Sequence, residues 1–208
     1  MSSLLKTNSI SAATGSTVTI PSGTTLDIAS GATLDIASGA TIDATGATTT
    51  GFGGITHASR WRLTTSFTGT ADPITSNLEV NDTSGYASLG SEMTESSGVF
   101  TFPTTGYWLI FAQSVWYRSS GGDRYTILQI KTTIDNGTWQ ETGGGLQMLP
   151  TESAAHYVTA TNTYIFDVTD TSTHKVSFRA SSEAGSSDLV GNSTQDQTCF
   201  TFIRLADT

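Results

Sequence analysis

A repeat of eight residues near the amino terminus is the feature that most restricts how this chain can fold. Its units begin at Gly15, Gly23, Gly31 and Gly39, and residues 24–48 read TTLDIASGATLDIASGATIDATGAT. Within each unit the apolar residues fall two positions apart, with threonine or aspartate between them. This alternation predicts short β-strands with one apolar and one polar face. The Ser-Gly pairs between units predict turns, because glycine adopts positive φ without penalty.

A single copy of this repeat has too little apolar surface to fold alone. Each unit offers two sizeable apolar side chains, which cannot offset the conformational entropy of about thirty ordered residues. We therefore expect several chains to share one core in an intertwined β-helical or β-prism stalk over residues 15–50. A disordered low-complexity linker is the alternative. The predicted stalk core consists of Val18, Ile20, Leu26, Ile28, Leu34, Ile36 and Ile42.

The polar face of the repeat carries three aspartates, which would form charge columns if the units stack in register. Such columns cost stability unless the carboxylates are solvated, and cation binding there is the alternative interpretation. We expect solvated side chains, no bound metal and no cofactor. The three residues are Asp27, Asp35 and Asp43.

The overall charge and composition exclude several classes of partner. The 208 residues include 9 Lys and Arg against 18 Asp and Glu, a formal charge of −9 that repels phosphate backbones. Nucleic acid is therefore not expected as a partner. The first twenty residues contain no apolar run of signal-peptide length, and no segment approaches the ~20 apolar residues of a membrane helix. We expect neither secretion nor membrane anchoring.

The cysteine content indicates a protein made in a reducing compartment. Cys199 is the single cysteine, so an intrachain disulfide is excluded. It lies in TCFTFIRL, where the alternation predicts a strand and a small buried side chain.

Beyond residue 50 the repeat ends, and residues 51–208 are predicted to form a separate globular head. All four tryptophans lie here, among short alternating runs such as RWRLTTSF and RYTILQIKTTIDNGTW. The segments TTG, DNG and DTSTH have the composition of turns between strands. No segment has the apolar stripe of a helix. The prediction is an all-β sandwich of eight to ten strands, most simply a jelly roll.

One hairpin of the head resembles a known family. The segment GVFTFPTTGYWLIFAQSVW resembles the signature hairpin in the globular heads of the complement component 1q and tumour necrosis factor family, and the closing TCFTFIRLADT is similar to that family's last strand. The resemblance implies a homotrimeric ten-strand jelly roll without catalytic activity. It also implies that six residues form the head core, namely Gly98, Phe100, Thr101, Pro103, Gly106 and Tyr107.

The beginning of the chain resembles, in composition, the beginnings of fibre and appendage proteins of tailed bacteriophages. The segment is LKTNSISAATGSTVTIPSGTTLDI. This resemblance implies a virion structural protein, assembled in the host cytoplasm, whose residues 1–14 attach to other virion proteins of the capsid or the tail. A bacterial adhesin or matrix protein is an alternative.

The sequence contains no constellation typical of a metal site or an active site. The three histidines, which have no other ligand at zinc spacing, are expected in solvated loops, and they are His57, His156 and His174. Asp135, Asp167 and Asp170 lie in segments typical of turns. A glycosidase would need two of them across a cleft, which spacing alone does not establish.

The exposed loops of the head are the predicted receptor-facing surface. They comprise the segment from Ser119 to Asp123 and a long loop from Gly143 to Ala160, which departs from the resembled family. Four aromatic residues are candidates for stacking on a host surface glycan, although core or interface positions are the alternative. They are Tyr86, Trp139, Tyr157 and Tyr164. A carbohydrate-binding recognition tip therefore remains an alternative to a purely structural protein.

The shared-core interpretation of the repeat makes a direct prediction. Replacing Leu26, Ile28, Leu34 and Ile36 together with serine should unfold the stalk, because each buried aliphatic side chain contributes about 1.5–3 kcal/mol and every chain of the assembly loses four. Circular dichroism melting of full-length protein should lose one transition while the head transition remains. An unchanged melting profile would contradict a shared apolar core.

Overall fold

The computed structural model describes residues 25–28, 33–34 and 54–208, and the chain divides into two units, Met1–Thr50 and Gly51–Thr208. In the first unit the described apolar side chains are largely exposed within one chain, as Leu26, Ile28 and Leu34 at 60%, 41% and 57%. The remaining predicted core residues of the stalk lie outside the described residues, as does segment 1–14. The stalk and its attachment segment therefore stay predictions.

The second unit is built from strands alone in its described part. The twelve strands are β1 (Ala58–Leu63), β2 (Thr65–Thr68), β3 (Leu78–Val80), β4 (Thr94–Ser96), β5 (Val99–Thr101), β6 (Gly106–Arg118), β7 (Gly121–Thr133), β8 (Gln140–Glu152), β9 (His156–Val168), β10 (Lys175–Ser182), β11 (Asp188–Asn192) and β12 (Cys199–Ala206). The all-β prediction is confirmed. The prediction of eight to ten strands is too low, because strands of three residues such as β3 and β4 are too short to show alternation in sequence.

The strands form two antiparallel sheets. In the seven-stranded sheet the order is β2-β11-β6-β12-β1-β3, and β9 also pairs with β6 along its whole length. In the five-stranded sheet the order is β4-β5-β10-β7-β8. Chain neighbours such as β5 and β6 lie in different sheets, which is the crossing pattern of a jelly roll.

The core between the sheets is dominated by aromatic side chains. The rings of Phe178 and Phe200 stack with centroids 3.8 Å apart, and Phe100 meets Trp61 edge-on at 5.3 Å. Phe178 belongs to the five-stranded sheet and Phe200 to the seven-stranded sheet, so this stack joins the two layers. Burial of large aromatic rings contributes strongly to stability, and tilted or offset pairs add about 0.5–1.5 kcal/mol.

Two glycines of the signature hairpin occupy positions that other residues cannot. Gly98 has φ +83°, and an added Cβ would lie 2.4 Å from the carbonyl oxygen of Ile74. Gly106 has φ +138°, and a Cβ there would lie 2.6 Å from the carbonyl oxygen of Ala206. Phe100, which lies in β5 two residues after Gly98, is fully buried. The backbone therefore requires both glycines.

The prediction of a loop from Gly143 to Ala160 is wrong, because this stretch runs through β8, a short turn and β9, two strands that belong to different sheets. The run of three glycines lies inside β8. A Cβ on Gly145 would lie 3.0 Å from the carbonyl oxygen of Thr161, so β8 and β9 touch backbone to backbone where the two sheets meet. Glycine runs are typical of loops in sequence, but close approach of two backbones is another reason for them.

Neighbouring glycines of β8 provide a test of this close approach. Gly145→Ala should destabilise the head by about 1–3 kcal/mol through overpacking against Thr161. Gly144→Ala is the matched control, because its Cβ would meet nothing closer than 3.6 Å. The control should be neutral or slightly stabilising, since alanine has the lower unfolded-chain entropy. Chemical denaturation of both variants checks this, and equal effects would contradict the contact between β8 and β9.

Candidate subunit interface

Strand β6 has large apolar side chains on both of its faces. Alternate residues point into the sandwich and are fully buried, among them Trp108, Ile110 and Trp116. The residues between them point away from the sandwich core, onto the other side of the seven-stranded sheet. They include Tyr107, Leu109, Phe111, Val115 and Tyr117.

The neighbouring strands continue this apolar surface. Leu109 lies opposite Ile203 of β12 on one side and Ile165 of β9 on the other. Tyr117 pairs with Tyr157 of β9, and the ring centroids are 4.8 Å apart. We call this surface the outer face, and it consists of Tyr107, Leu109, Phe111, Val115, Tyr117, Tyr157, Ile165 and Ile203.

Much of the outer face is open to solvent in one chain. Ile165 is 58% exposed and Tyr157 is 62% exposed, while Leu109, Phe111 and Ile203 are half-buried. Contiguous apolar surface of this kind is typical of protein–protein interfaces. Next to the outer face, threonines such as Thr159 and Thr161 lie along the edge strand β9. An interface on this surface would therefore combine apolar contacts with neutral polar groups.

Tyr107 is therefore not part of the head core, and that prediction is wrong. It is 40% exposed on the outer face, while its neighbour Trp108 is buried in the sandwich. The strand register explains why Tyr107 is exposed and Trp108 is buried. Gly106 begins β6 on the inward face, so Tyr107 lies on the outward face and Trp108 on the inward face again. Thr101 and Pro103 are half-buried.

A charged cluster covers the end of this sheet surface near β1 and β3. Arg62 is fully buried and donates to Glu79 at 2.8 Å, to Thr83 at 2.7 Å and to Asp82. A buried guanidinium requires such partners, because an unpaired charge away from water is very costly. Arg60, two residues earlier, forms an ion pair with Asp196 at 2.9 Å. Sequence reasoning missed this cluster, and the signal was the pair of arginines at alternate positions of one strand.

Cys199 lies under this cluster. It is a fully buried free cysteine in β12, as predicted, and Arg60 donates to its sulfur at 3.0 Å. Burial raises the pKa of the thiol, and the nearby guanidinium opposes this in part. The thiol therefore stays protonated and shielded in the folded chain.

The structure places the four predicted receptor-facing residues in different environments. Ser119 is exposed in the turn between β6 and β7. Asp123 is 3% exposed, and its carboxylate accepts from the Ser187 hydroxyl at 2.8 Å, so its prediction as a surface residue is wrong. Gly143 and Ala160 lie in strands, and Ala160 is 2% exposed. These four residues form no common surface.

The four candidate aromatic residues are also dispersed. Tyr157 lies on the outer face, and the Tyr86 hydroxyl accepts from the backbone N–H of Arg60 at 2.7 Å. Trp139 is half-buried just before β8, and Tyr164 is half-buried on the core side of β9. A single stacking platform made of these rings is not present in the described residues.

The prediction of solvated loop histidines is wrong at His174 and at His156, which is half-buried as the first residue of β9. His174 is 9% exposed and stacks on Phe166 with centroids 5.5 Å apart, because the turn before β10 folds back onto the sandwich. His57 is half-buried beside Trp108, and its pKa is lowered by burial and by the charge of Arg204. Within the described ranges, no three His, Cys, Asp or Glu side chains gather closely enough to hold a metal ion. The same part of the chain has no helix long and apolar enough to cross a membrane.

Known structures resemble this chain in fold. A crystal structure of murine APRIL at pH 5.0 matches with a TM-score of 0.51 and 9% sequence identity, over 72% of this chain and 98% of that chain. The Eiger TNF structure from S. frugiperda matches with a TM-score of 0.53 and 13% identity, over 73% of this chain and 93% of that chain. At such low identity the likeness shows a shared fold, the jelly roll of the tumour necrosis factor family. No protein-family model and no curated protein sequence matches the chain.

Introducing a charged side chain into the outer face tests whether this surface is a subunit interface. Ile165→Glu should dissociate an oligomer formed through this face, because it would bury an uncompensated carboxylate in each contact. Leu146→Glu is the matched control, because Leu146 is equally exposed at 58% but lies in the other sheet, opposite Ile127. Light scattering should show a lower mass for the first variant alone. Equal masses for both variants would exclude this face as the interface.

Proposed function

We propose that this chain is the subunit of a homotrimeric, non-enzymatic structural protein of a tailed-phage particle, acting as a fibre, capsid decoration or tail appendage. The observation that carries the proposal is the apolar outer face, which needs a partner surface of the same chemistry. A second copy of the same chain supplies one directly.

Two independent features of the chain support an assembly of several copies. The eight-residue repeat cannot bury its apolar face alone, and the outer face of the head leaves Leu109, Phe111 and Ile165 without full cover. A cyclic assembly with a common axis satisfies both requirements at once. The number three comes from the resemblance of the signature hairpin, and the tumour-necrosis-factor-like fold of the head supports it.

The non-enzymatic part of the proposal is supported by the state of two turn carboxylates. Asp135 accepts from the backbone N–H groups of Thr138 at 2.7 Å and Gly137 at 2.9 Å, and these bonds lower its pKa. Asp170 accepts from the hydroxyl and the backbone N–H of Ser172, which lower its pKa also. Carboxylates held ionised in turns are poor general acids.

The composition of segment 1–14 and of the head supports the orientation that we propose. Segment 1–14 is short, polar and free of aromatic residues, so it is suited to ordering on another virion protein. The head is then carried outward, where three copies multiply weak contacts with a host surface by avidity. A receptor-recognition tip is thus the second candidate role within the same architecture.

Deletion of residues 2–14 tests the attachment. The truncated protein should remain a trimer of normal melting temperature, because the head and the repeat are intact, yet it should be absent from purified particles. Ser119→Ala, in an exposed turn of the head, is the control and should be incorporated normally. Immunoblotting of purified particles measures both. Normal incorporation of the truncated protein would contradict attachment through the amino terminus.

A further inference from the structure

An open cavity of about 350 Å³ lies at one end of the sandwich, beside the turn between β7 and β8. Its walls come from β7, the turn, β8 and β9, so a single chain supplies all of it. β8 and β9 touch at Gly145, whereas Gln140 and Thr142 of β8 carry side chains that face the cavity with Tyr164 and Phe166 of β9. Beyond the glycine run, β8 and β9 are therefore farther apart, and the cavity lies between them.

One carboxylate in this cavity is fixed in position. Asp135 uses Oδ1 to accept from the N–H groups of Gly137 and Thr138 and from the Thr133 hydroxyl, at 2.7–2.9 Å. These three bonds hold the side chain in one orientation, and Oδ2 remains as an acceptor for a ligand. A carboxylate that needs no rearrangement before binding loses little entropy when a hydroxyl donates to it.

The other walls have the chemistry of a sugar site. Tyr164 and Phe166 provide aromatic surface, and four threonines and the Gln140 amide provide neutral polar groups. Among the described residues, the side chain of Gln140 has no hydrogen-bond partner, so it is available to a ligand. None of the residues that line the cavity is Lys, Arg or His. An anionic sugar would meet the charge of Asp135 without compensation, whereas a neutral sugar would donate a hydroxyl to it.

We propose that this cavity binds a neutral hexopyranose, with Asp135 and Gln140 hydrogen-bonded to its hydroxyls and Tyr164 against its C–H face. The volume is near the lower end of the usual range for ligand pockets, which suits a single sugar ring. The inference goes beyond the proposed architectural role and requires neither the trimer nor the particle, because one chain forms the whole site.

The test uses full-length protein and the methyl glycosides of glucose, galactose and mannose at millimolar concentration, followed by saturation-transfer NMR. At least one of them should bind, and N-acetylneuraminic acid should not. Asp135→Asn should weaken binding about tenfold or more, because the amide keeps the turn acceptor Oδ1 but replaces the ionised acceptor Oδ2 by a donor. Gln140→Ala should weaken binding with no change in melting temperature.

Asp170→Asn is the matched control. Asp170 also accepts hydrogen bonds in a turn, from Ser172, but it does not line the cavity, so its variant should bind as the native chain does. Equal loss in the Asp135 and Asp170 variants, or no binding by any neutral glycoside, would overturn the proposal. Binding confined to the Ile165→Glu variant would overturn it as well, because the cavity would then be filled by a neighbouring copy. A monomeric native protein that binds the sugar would instead contradict the trimer alone.

Discussion

Strand β6 carries large apolar side chains on both of its faces, and the rest of the head is arranged around this strand. Its inward residues, Trp108, Ile110 and Trp116, are covered by the five-stranded sheet. Its outward residues, among them Leu109 and Phe111, are only half-buried, and no second sheet covers them in the described part of the chain. Strands that are apolar on both faces are typical of sheets packed on two sides. A single sandwich provides one side, and the proposed neighbours in a trimer provide the other.

The close contact between β8 and β9 determines where the two sheets touch and where the cavity begins. Gly145 allows the backbones to meet, which keeps the five-stranded and seven-stranded sheets together along this side. Where side chains resume at Thr142 and Gln140, the strands separate and the cavity begins. Strand β9 thus presents Ile165 on the outer face and Tyr164 in the cavity, since successive strand residues point to opposite sides.

Much of the head was predictable from sequence because its strands alternate and its turns use Asp, Asn and Gly. The signature hairpin predicted the buried Phe100, and the alternation around Cys199 predicted its burial. Strand β8 was not predictable from sequence. A glycine run indicates a loop, and only the neighbouring backbone of β9 shows why glycine lies in a strand here. The burial of Asp123 depends on Ser187, far along the chain, which no local pattern reveals. The cavity likewise joins residues from four segments.

Cryo-electron microscopy of the full-length protein tests directly whether the outer face is a subunit interface. We expect three chains around one axis, with Phe111 and Ile203 of each chain buried against its neighbours and with the repeats wound together. A particle in which the outer face is open to solvent, or in which the five-stranded sheets meet instead, would contradict it.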